Sequence, residues 1–394
     1  MVRRNYFYTR SRSDFVKTRF KTLFFILFLS FAIAPAVFAQ DGAGGRSIES
    51  ELEKLRLENE EIKKRLDAVE LDGEETKHNF GILSRFVEVS GYADAEFYLT
   101  DNDGENSRFR VRHLSLFFLK NIQEDWKLFT EIEYEDAPLI ESSHDSDTAA
   151  TVQGKLFVEQ MYIEYHPDLA WDVRFGRFLT PAGIWNIYHY PPYVPTQERP
   201  LMVRRIFPQV SDGIQARYSH SFGGPVLDTH LYVANGAGNP GRLDRNENKA
   251  IGARLNLEHG PWWAGASLYR DKDNEGTNRA AWGLHLLANY SPLRFQAEYQ
   301  YRDNDEATGS DFIDRGFYAQ AMYDIGKWTF AARYDWYDPD SGSSDADLFR
   351  YTGALNYHFA GNVVGKAEYN RNDLDSGEDF NEVILSIVVA IGDL

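Results

Sequence analysis

From residue 86 to the C-terminus the chain alternates apolar and polar side chains with a period of two, and this pattern restricts the fold more than any other feature. A period of two is the signature of an extended strand whose two faces meet different surroundings. Val87, Val89, Gly91, Ala93, Ala95, Phe97 and Leu99 interleave with Glu88, Ser90, Tyr92, Asp94, Glu96 and Tyr98. Phe295, Ala297, Tyr299 and Tyr301 interleave with Arg294, Gln296, Glu298, Gln300 and Arg302, and Val383, Leu385, Ile387, Val389 and Ile391 form one apolar rank at the end. Sixteen such segments start near Phe86, Ser107, Trp126, Gly154, Trp171, Val210, Val226, Asn248, Trp262, Arg279, Leu293, Phe312, Trp328, Leu348, Val363 and Phe380.

An even number of amphipathic strands is what a closed antiparallel membrane barrel requires. The connections support this reading because they alternate in length. Short turns at 121–125, 166–170, 222–225, 259–261, 291–292, 324–327 and 360–362 alternate with mostly longer polar loops at 101–106, 138–154, 180–209, 237–247, 271–278, 303–311, 338–347 and 372–379. Trp126, Trp171, Trp262, Trp328, Tyr290, Tyr301, Trp336, Tyr357 and Phe359 collect at strand ends, as interfacial girdles do. The predicted class is therefore all-β: a sixteen-stranded antiparallel transmembrane β-barrel over 86–394. A secreted β-sandwich or β-helix with an aromatic core is the competing reading, and it leaves the long and short loop alternation unexplained. One strand breaks phase, with Arg108, Arg110 and Arg112 on the face of Leu114, Leu116 and Phe118. A bulge near His113, or packing of this face against an inserted loop, would account for it.

Composition excludes several other classes. The 60 Asp and Glu against 42 Lys and Arg give a formal charge of -18, which argues against a nucleic-acid binder that neutralises phosphates. With no cysteine, thiolate metal sites, disulfides and cysteine nucleophiles are ruled out together. A mean hydropathy of -0.48 is too polar for a bundle of spanning helices.

Ahead of the barrel, Arg3, Arg4, Arg10, Arg12, Lys17, Arg19 and Lys21 precede an apolar run at 23–36 that ends in Ala36-Val37-Phe38-Ala39. This reads as a signal peptide over 1–39, with a membrane-anchoring helix as the alternative. After a linker at 40–47, Ile48, Leu52, Leu55, Asn59, Ile62, Leu66 and Val69 keep a 4-3 heptad spacing over 48–71. The expectation is a short periplasmic coiled coil whose seam Asn59 fixes register. A solvated charged helix is the competing reading, and 72–85 is a second linker.

Phe175-Gly-Arg-Phe-Leu-Thr-Pro-Ala-Gly183, Glu198-Arg199-Pro200, Val233-Ala-Asn-Gly236, Arg333-Tyr-Asp335 and Asn356-Tyr357, in this order, resemble the phosphate-selective porin O and P family from about residue 86 to the C-terminus. The resemblance implies a trimeric sixteen-stranded outer-membrane barrel. Its third external loop, here near 180–209, would fold inward, and arginines on the pore wall would guide anions. By position, Arg110 and Arg112 match the basic run of the second strand, and Glu198 and Arg199 match the constriction motif. The lysines of the barrel, Lys120, Lys127, Lys155, Lys249, Lys272, Lys327 and Lys366, are scattered and form no phosphate-selecting cluster.

Charge patterning points the same way. The external loops carry nearly all of the excess negative charge of the barrel, and the third, with Arg199, Arg204 and Arg205 against Glu198, is the only net-basic one. Arg174, Arg217, Arg254, Arg302, Arg333 and Arg350 are further inward candidates, opposed by Glu131, Glu164, Glu298 and Asp335. Such arrays either set a selecting field or pair with each other to satisfy a polar interior. The expected pore-lining and constriction set is Arg110, Arg112, Arg174, Glu198, Arg199, Arg204, Arg205, Arg254 and Arg333. Trp185, Tyr188, Tyr190 and Tyr193 in the third loop would stack on sugars or pack the loop against the wall.

No Gly-x-Ser-x-Gly elbow, Walker loop or His-Glu-x-x-His helix is present, so no enzyme is expected. Asp271-x-Asp273-x-Glu275-Gly276 starts like an EF-hand loop, but Trp282 stands at the closing acid position. Neither metal nor cofactor is expected, apart from loose divalent cations between the acidic collar and lipopolysaccharide. The expectation is a homotrimeric outer-membrane channel passing small anionic or neutral solutes, with anion preference. Alternatives are a sugar or cation-tolerant channel, or a tether whose coiled coil grips the cell wall.

Overall fold

The computed structural model describes residues 87–136, 154–236, 244–343 and 346–392. Within them lie β1 (Glu88–Thr100), β2 (Arg108–Gln123), β3 (Trp126–Glu135), β4 (Lys155–Tyr165), β5 (Trp171–Leu179), β6 (Val210–Ser221), β7 (Val226–Asn235) and β8 (Lys249–His259). The second half comprises β9 (Trp262–Lys272), β10 (Asn278–Tyr290), β11 (Leu293–Asp305), β12 (Phe312–Ile325), β13 (Trp328–Asp338), β14 (Leu348–Ala360), β15 (Val363–Leu374) and β16 (Phe380–Ile391). Each strand pairs with its sequence neighbours, and β16 pairs antiparallel with β1 from Gly91↔Ile391 to Thr100↔Glu382, closing the barrel. The sixteen strands start within two residues of the positions read from the alternation. The segment 48–71, expected as a coiled coil, and the leader at 1–39 lie outside the described residues.

Alternation sorts the two faces as expected. On β1, Tyr92, Asp94, Glu96 and Tyr98 point inward and are buried, whereas Val89 points outward and is exposed. Leu231, Val233, Ile251, Leu268, Leu284, Phe295, Phe330 and Ile387 are exposed at outward positions around the wall. An apolar surface of this extent marks a lipid-facing wall, since transferring each such side chain out of water contributes roughly 1.5–3 kcal/mol.

The outward aromatics form two bands. At the short-turn end, Trp126 packs on Tyr165, Trp171 on Tyr218, Trp262 on Tyr290, and Trp328 on Tyr357. Toward the long loops, Phe97 packs on Phe109, Trp282 on Tyr301, Phe317 on Trp336, and Tyr334 on Tyr351. Amphipathic rings favour the headgroup zone at both edges of a membrane wall.

Two bulges re-aim side chains into the lumen. Between β1 and β2, Asp94 pairs with His113 but Ala95 pairs with Val111, so Arg112 is the extra residue. This is the face switch anticipated near His113: Arg110 and His113 both turn inward, and Leu114, Leu116 and Phe118 turn outward. Between β3 and β4, Glu131 pairs with Gln160 and Ile132 with Val158, which leaves Glu159 extra and both Glu159 and Gln160 buried inside. Each bulge adds a polar side chain to the same side of the lumen.

Candidate functional site

The loop at 180–209 enters the barrel, and its side chains are mostly buried there. Local backbone chemistry starts the turn inward. Gly176 has φ +129° and Gly183 φ +58°, conformations that a side chain disfavours. A Cβ on Gly183 would lie 1.8 Å from Oε2 of Glu298. The Gly183 N–H donates to Ser267 Oγ on β9 (3.1 Å), its carbonyl accepts from Arg254 Nε on β8 (3.2 Å), and the Trp185 N–H donates to Glu298 on β11 (2.9 Å). These contacts give the glycine-ended motif Phe175 to Gly183 a physical reason: the chain needs a residue without a side chain where it presses against three strands.

Beyond this entry the loop is fastened around the wall. Trp185, Met202, Ile206 and Phe207 are almost wholly buried and cluster with the inward Tyr232, Tyr269, Tyr318 and Tyr337. Lys366 on β15 donates to the carbonyls of Pro191 (2.6 Å) and Val194 (2.7 Å). Asn356 on β14 donates to Pro195 O (3.0 Å). The Glu368 carboxylate accepts the N–H groups of Gln197 and Glu198. Main-chain groups that leave a strand must find partners elsewhere, and the wall side chains supply them.

The nine residues expected at the constriction fall into groups. Arg110 pairs with Glu96 and lies 3.8 Å from Glu198, joining β1, β2 and the loop. Arg112 pairs with Asp136 at 2.7 Å. Arg333 binds Asp335 (2.8 Å) and the Thr196 hydroxyl (2.6 Å), tying β13 to the loop. Arg254 is buried against Gly183 and His285, with Trp263 under its guanidinium at 5.5 Å. Arg204 reaches Glu135 (3.4 Å) and Glu159 (3.8 Å). Arg199 is partly buried, its carbonyl accepting from Arg350 Nη1 (3.4 Å) while its own Nη1 is enclosed without a hydrogen-bond partner. Arg174 stands apart from the rest: its contacts are Glu164 (2.7 Å) and the Tyr162 ring (4.6 Å) on the neighbouring strand, not the loop.

Arg205 differs from all of these. It is exposed, its guanidinium lies over the Tyr337 ring at 4.8 Å, and among the described residues no carboxylate pairs with it. Arg350 on β14 is close enough for the two positive charges to repel and bonds Asn372 (2.6 Å) rather than an acid.

Inward tyrosines and carboxylates form a second layer that the sequence reading assigned only in part. Tyr92 donates to Glu133, Tyr98 to Glu382, Tyr269 to Asp271, Tyr318 to Glu298 and Tyr337 to Asp314. Their signal was present in the polar rank of the alternation, where a tyrosine next to acids on an inward face has a ring for the loop and a hydroxyl for the acid. The acid at the start of the EF-hand-like run, Asp271, is engaged by Tyr269 and Arg279.

Comparison with known proteins agrees with this architecture. The sequence profile of the Gram-negative porin family matches residues 81–377. An uncharacterized protein of Aquifex aeolicus is 31% identical over 126 residues, spanning 32% of this chain and 27% of that protein. Among solved structures, an anion-selective porin from Comamonas acidovorans superposes with a TM-score of 0.58 at 16% identity, covering 77% of this chain and 99% of that one. A loop-deleted form of OmpT, an outer membrane protein of Vibrio cholerae, gives 0.57 at 12% identity, covering 77% and 98%. With a closed sixteen-stranded barrel, an apolar outer wall and a profile match over most of its length, the chain belongs to the Gram-negative porin family.

Proposed function

We propose that this porin passes small hydrophilic solutes passively across the outer membrane with a preference for anions, phosphate-like ones included. The observation that carries the preference is Arg205: an exposed loop guanidinium over the Tyr337 ring, with no carboxylate paired to it among the described residues. Most of the other arginines named for the constriction, Arg110, Arg112, Arg174, Arg204 and Arg333, are paired with acids and contribute less net field. A fixed positive charge at a narrow place attracts anions and raises the barrier to cations.

The working assembly in this proposal is a homotrimer in the outer membrane, with its lipid and lipopolysaccharide around the wall and segment 48–71 as a periplasmic clamp able to reach the cell wall. A sugar-accepting channel is the second reading. It is favoured by exposed Tyr188 at the loop, set edge-on to Trp263 at 5.3 Å, which offers a stacking face.

Zero-current potentials across bilayers in a salt gradient test the proposal. Arg205→Ala should move the reversal potential toward the cation side, and Arg204→Ala, which removes a charge already paired, should move it less. Equal shifts, or none for Arg205→Ala, would contradict the assignment of the filter. A neutral sugar that blocks ion current in the wild type but not in Tyr188→Ala would favour the second reading.

A further inference from the structure

Asp94, His113 and Glu135 lie side by side in register on β1, β2 and β3, and all three face the lumen. His113 reaches this row because the β2 bulge turns it inward. Glu133, two residues from Glu135 on the same face of β3, completes the group. One ligand atom each from His113, Glu133 and Glu135 lie within 4.8 Å of one another.

Hydrogen bonds assign roles inside this cluster. Asp94 Oδ1 accepts from the main-chain N–H of His113 (2.7 Å) and sits 2.9 Å from its Nδ1, while Asp94 Oδ2 accepts from Gln197 (2.7 Å). A carboxylate only accepts, so Nδ1 carries the proton and Nε2 presents a lone pair in the neutral ring. A carboxylate behind an imidazole in this way orients the ring and raises its basicity as a metal ligand. Glu133 is wholly buried; its Oε1 accepts from Tyr92 (3.1 Å), and its Oε2 has no hydrogen-bond partner. An enclosed carboxylate oxygen of this kind is costly unless a cation or donor meets it. Glu135 is held only by loose pairs, with Arg204 at 3.4 Å and Lys155 at 3.7 Å. Glu131 and Glu159 are buried in the same region, so carboxylates outnumber the nearby Arg199 and Arg204.

We propose that His113, Glu133 and Glu135 bind one first-row divalent cation on the inner wall of the barrel, with Asp94 positioning the imidazole. The donor set of one imidazole and two carboxylates suits zinc, whereas calcium and magnesium prefer all-oxygen shells. Zinc binds such atoms at roughly 2.0–2.2 Å. The ligand atoms must therefore close to about 3.4 Å when the ion binds. No spacing motif marks these ligands, because they are some twenty residues apart and meet only through the β2–β3 register.

Folded porin, freed of metal by chelation and then dialysed against zinc in excess calcium and magnesium, should retain one zinc per chain. X-ray absorption should report a shell of nitrogen and oxygen near 2.0 Å with imidazole scattering. Glu133→Gln and His113→Asn should each weaken binding at least a hundredfold. Asp94→Asn should weaken it ten- to a hundredfold, and Glu382→Gln, a buried wall acid outside the cluster, should leave it unchanged. Heat-modifiable migration on gels checks that each variant is folded. If one variant does not fold, the remaining variants and the absorption spectrum of the wild type still decide. No bound zinc, an all-oxygen shell, or zinc binding as tight as wild type in Glu133→Gln and His113→Asn would overturn the proposal and leave an imidazolium paired with its acids.

Discussion

Single residues decide where the loop can enter the lumen, and Gly183 is the clearest case. Its φ of +58° and the Glu298 carboxylate against its Cα leave no space for a side chain. Gly183→Ala adds about 1 kcal/mol of backbone strain and pushes Glu298 off the Trp185 N–H. The expected outcome is a loop that proteases cut more readily and a channel with noisier current, measured by limited proteolysis and single-channel recording. Unchanged cleavage and noise would contradict an anchoring role. At this scale the sequence was legible on one face only. Outward residues announce themselves by apolarity, whereas inward Tyr232, Tyr269 and Tyr318 are told from outward aromatics only by their register. Besides the outward bands, a second set of aromatics packs the inserted loop, Tyr232, Tyr269, Tyr318 and Tyr337 among them.

Among elements, the strands were legible because a period of two has one structural meaning, and the bulges were legible where they broke it. The run Arg108, Arg110, Arg112 against Leu114, Leu116 announced the first bulge. The second is equally visible in Leu156, Val158, Met161 and Ile163, whose spacing of two, three, two marks an inserted residue. The interior of the loop was opaque, since its partners come from strands distant in sequence.

His189 belongs to this scale because it is buried between the loop and β4, its Nε2 3.5 Å from Glu159. Burial, and then the charge of Arg199, push its pKa down to about 4. The folded value lies below the unfolded one near 6.5. The stability it contributes is therefore full above about pH 6.5 and is lost as pH falls through that window toward 4. Thermal unfolding between pH 7 and 4 should lose stability accordingly, and His189→Gln should flatten that part of the profile. A variant with the wild-type slope would contradict this assignment.

For the whole molecule, charge is separated by region. The external loops carry the net negative charge that dominates the composition, the wall pairs its ions internally, and the inserted loop supplies an unpaired cation at Arg205. The acidic composition therefore describes the rim and not the inserted loop. Oligomeric state belongs at this scale too. Deleting 48–71 should lower the temperature at which detergent-resistant trimers dissociate, and an unchanged dissociation temperature would contradict the clamp.

The most direct test of a passive channel is single-channel recording of the purified chain in planar bilayers. Stepwise, ohmic openings with a reversal potential on the anion side of a salt gradient are predicted. A folded barrel that inserts without conductance would contradict the porin reading and leave the chain as a membrane anchor.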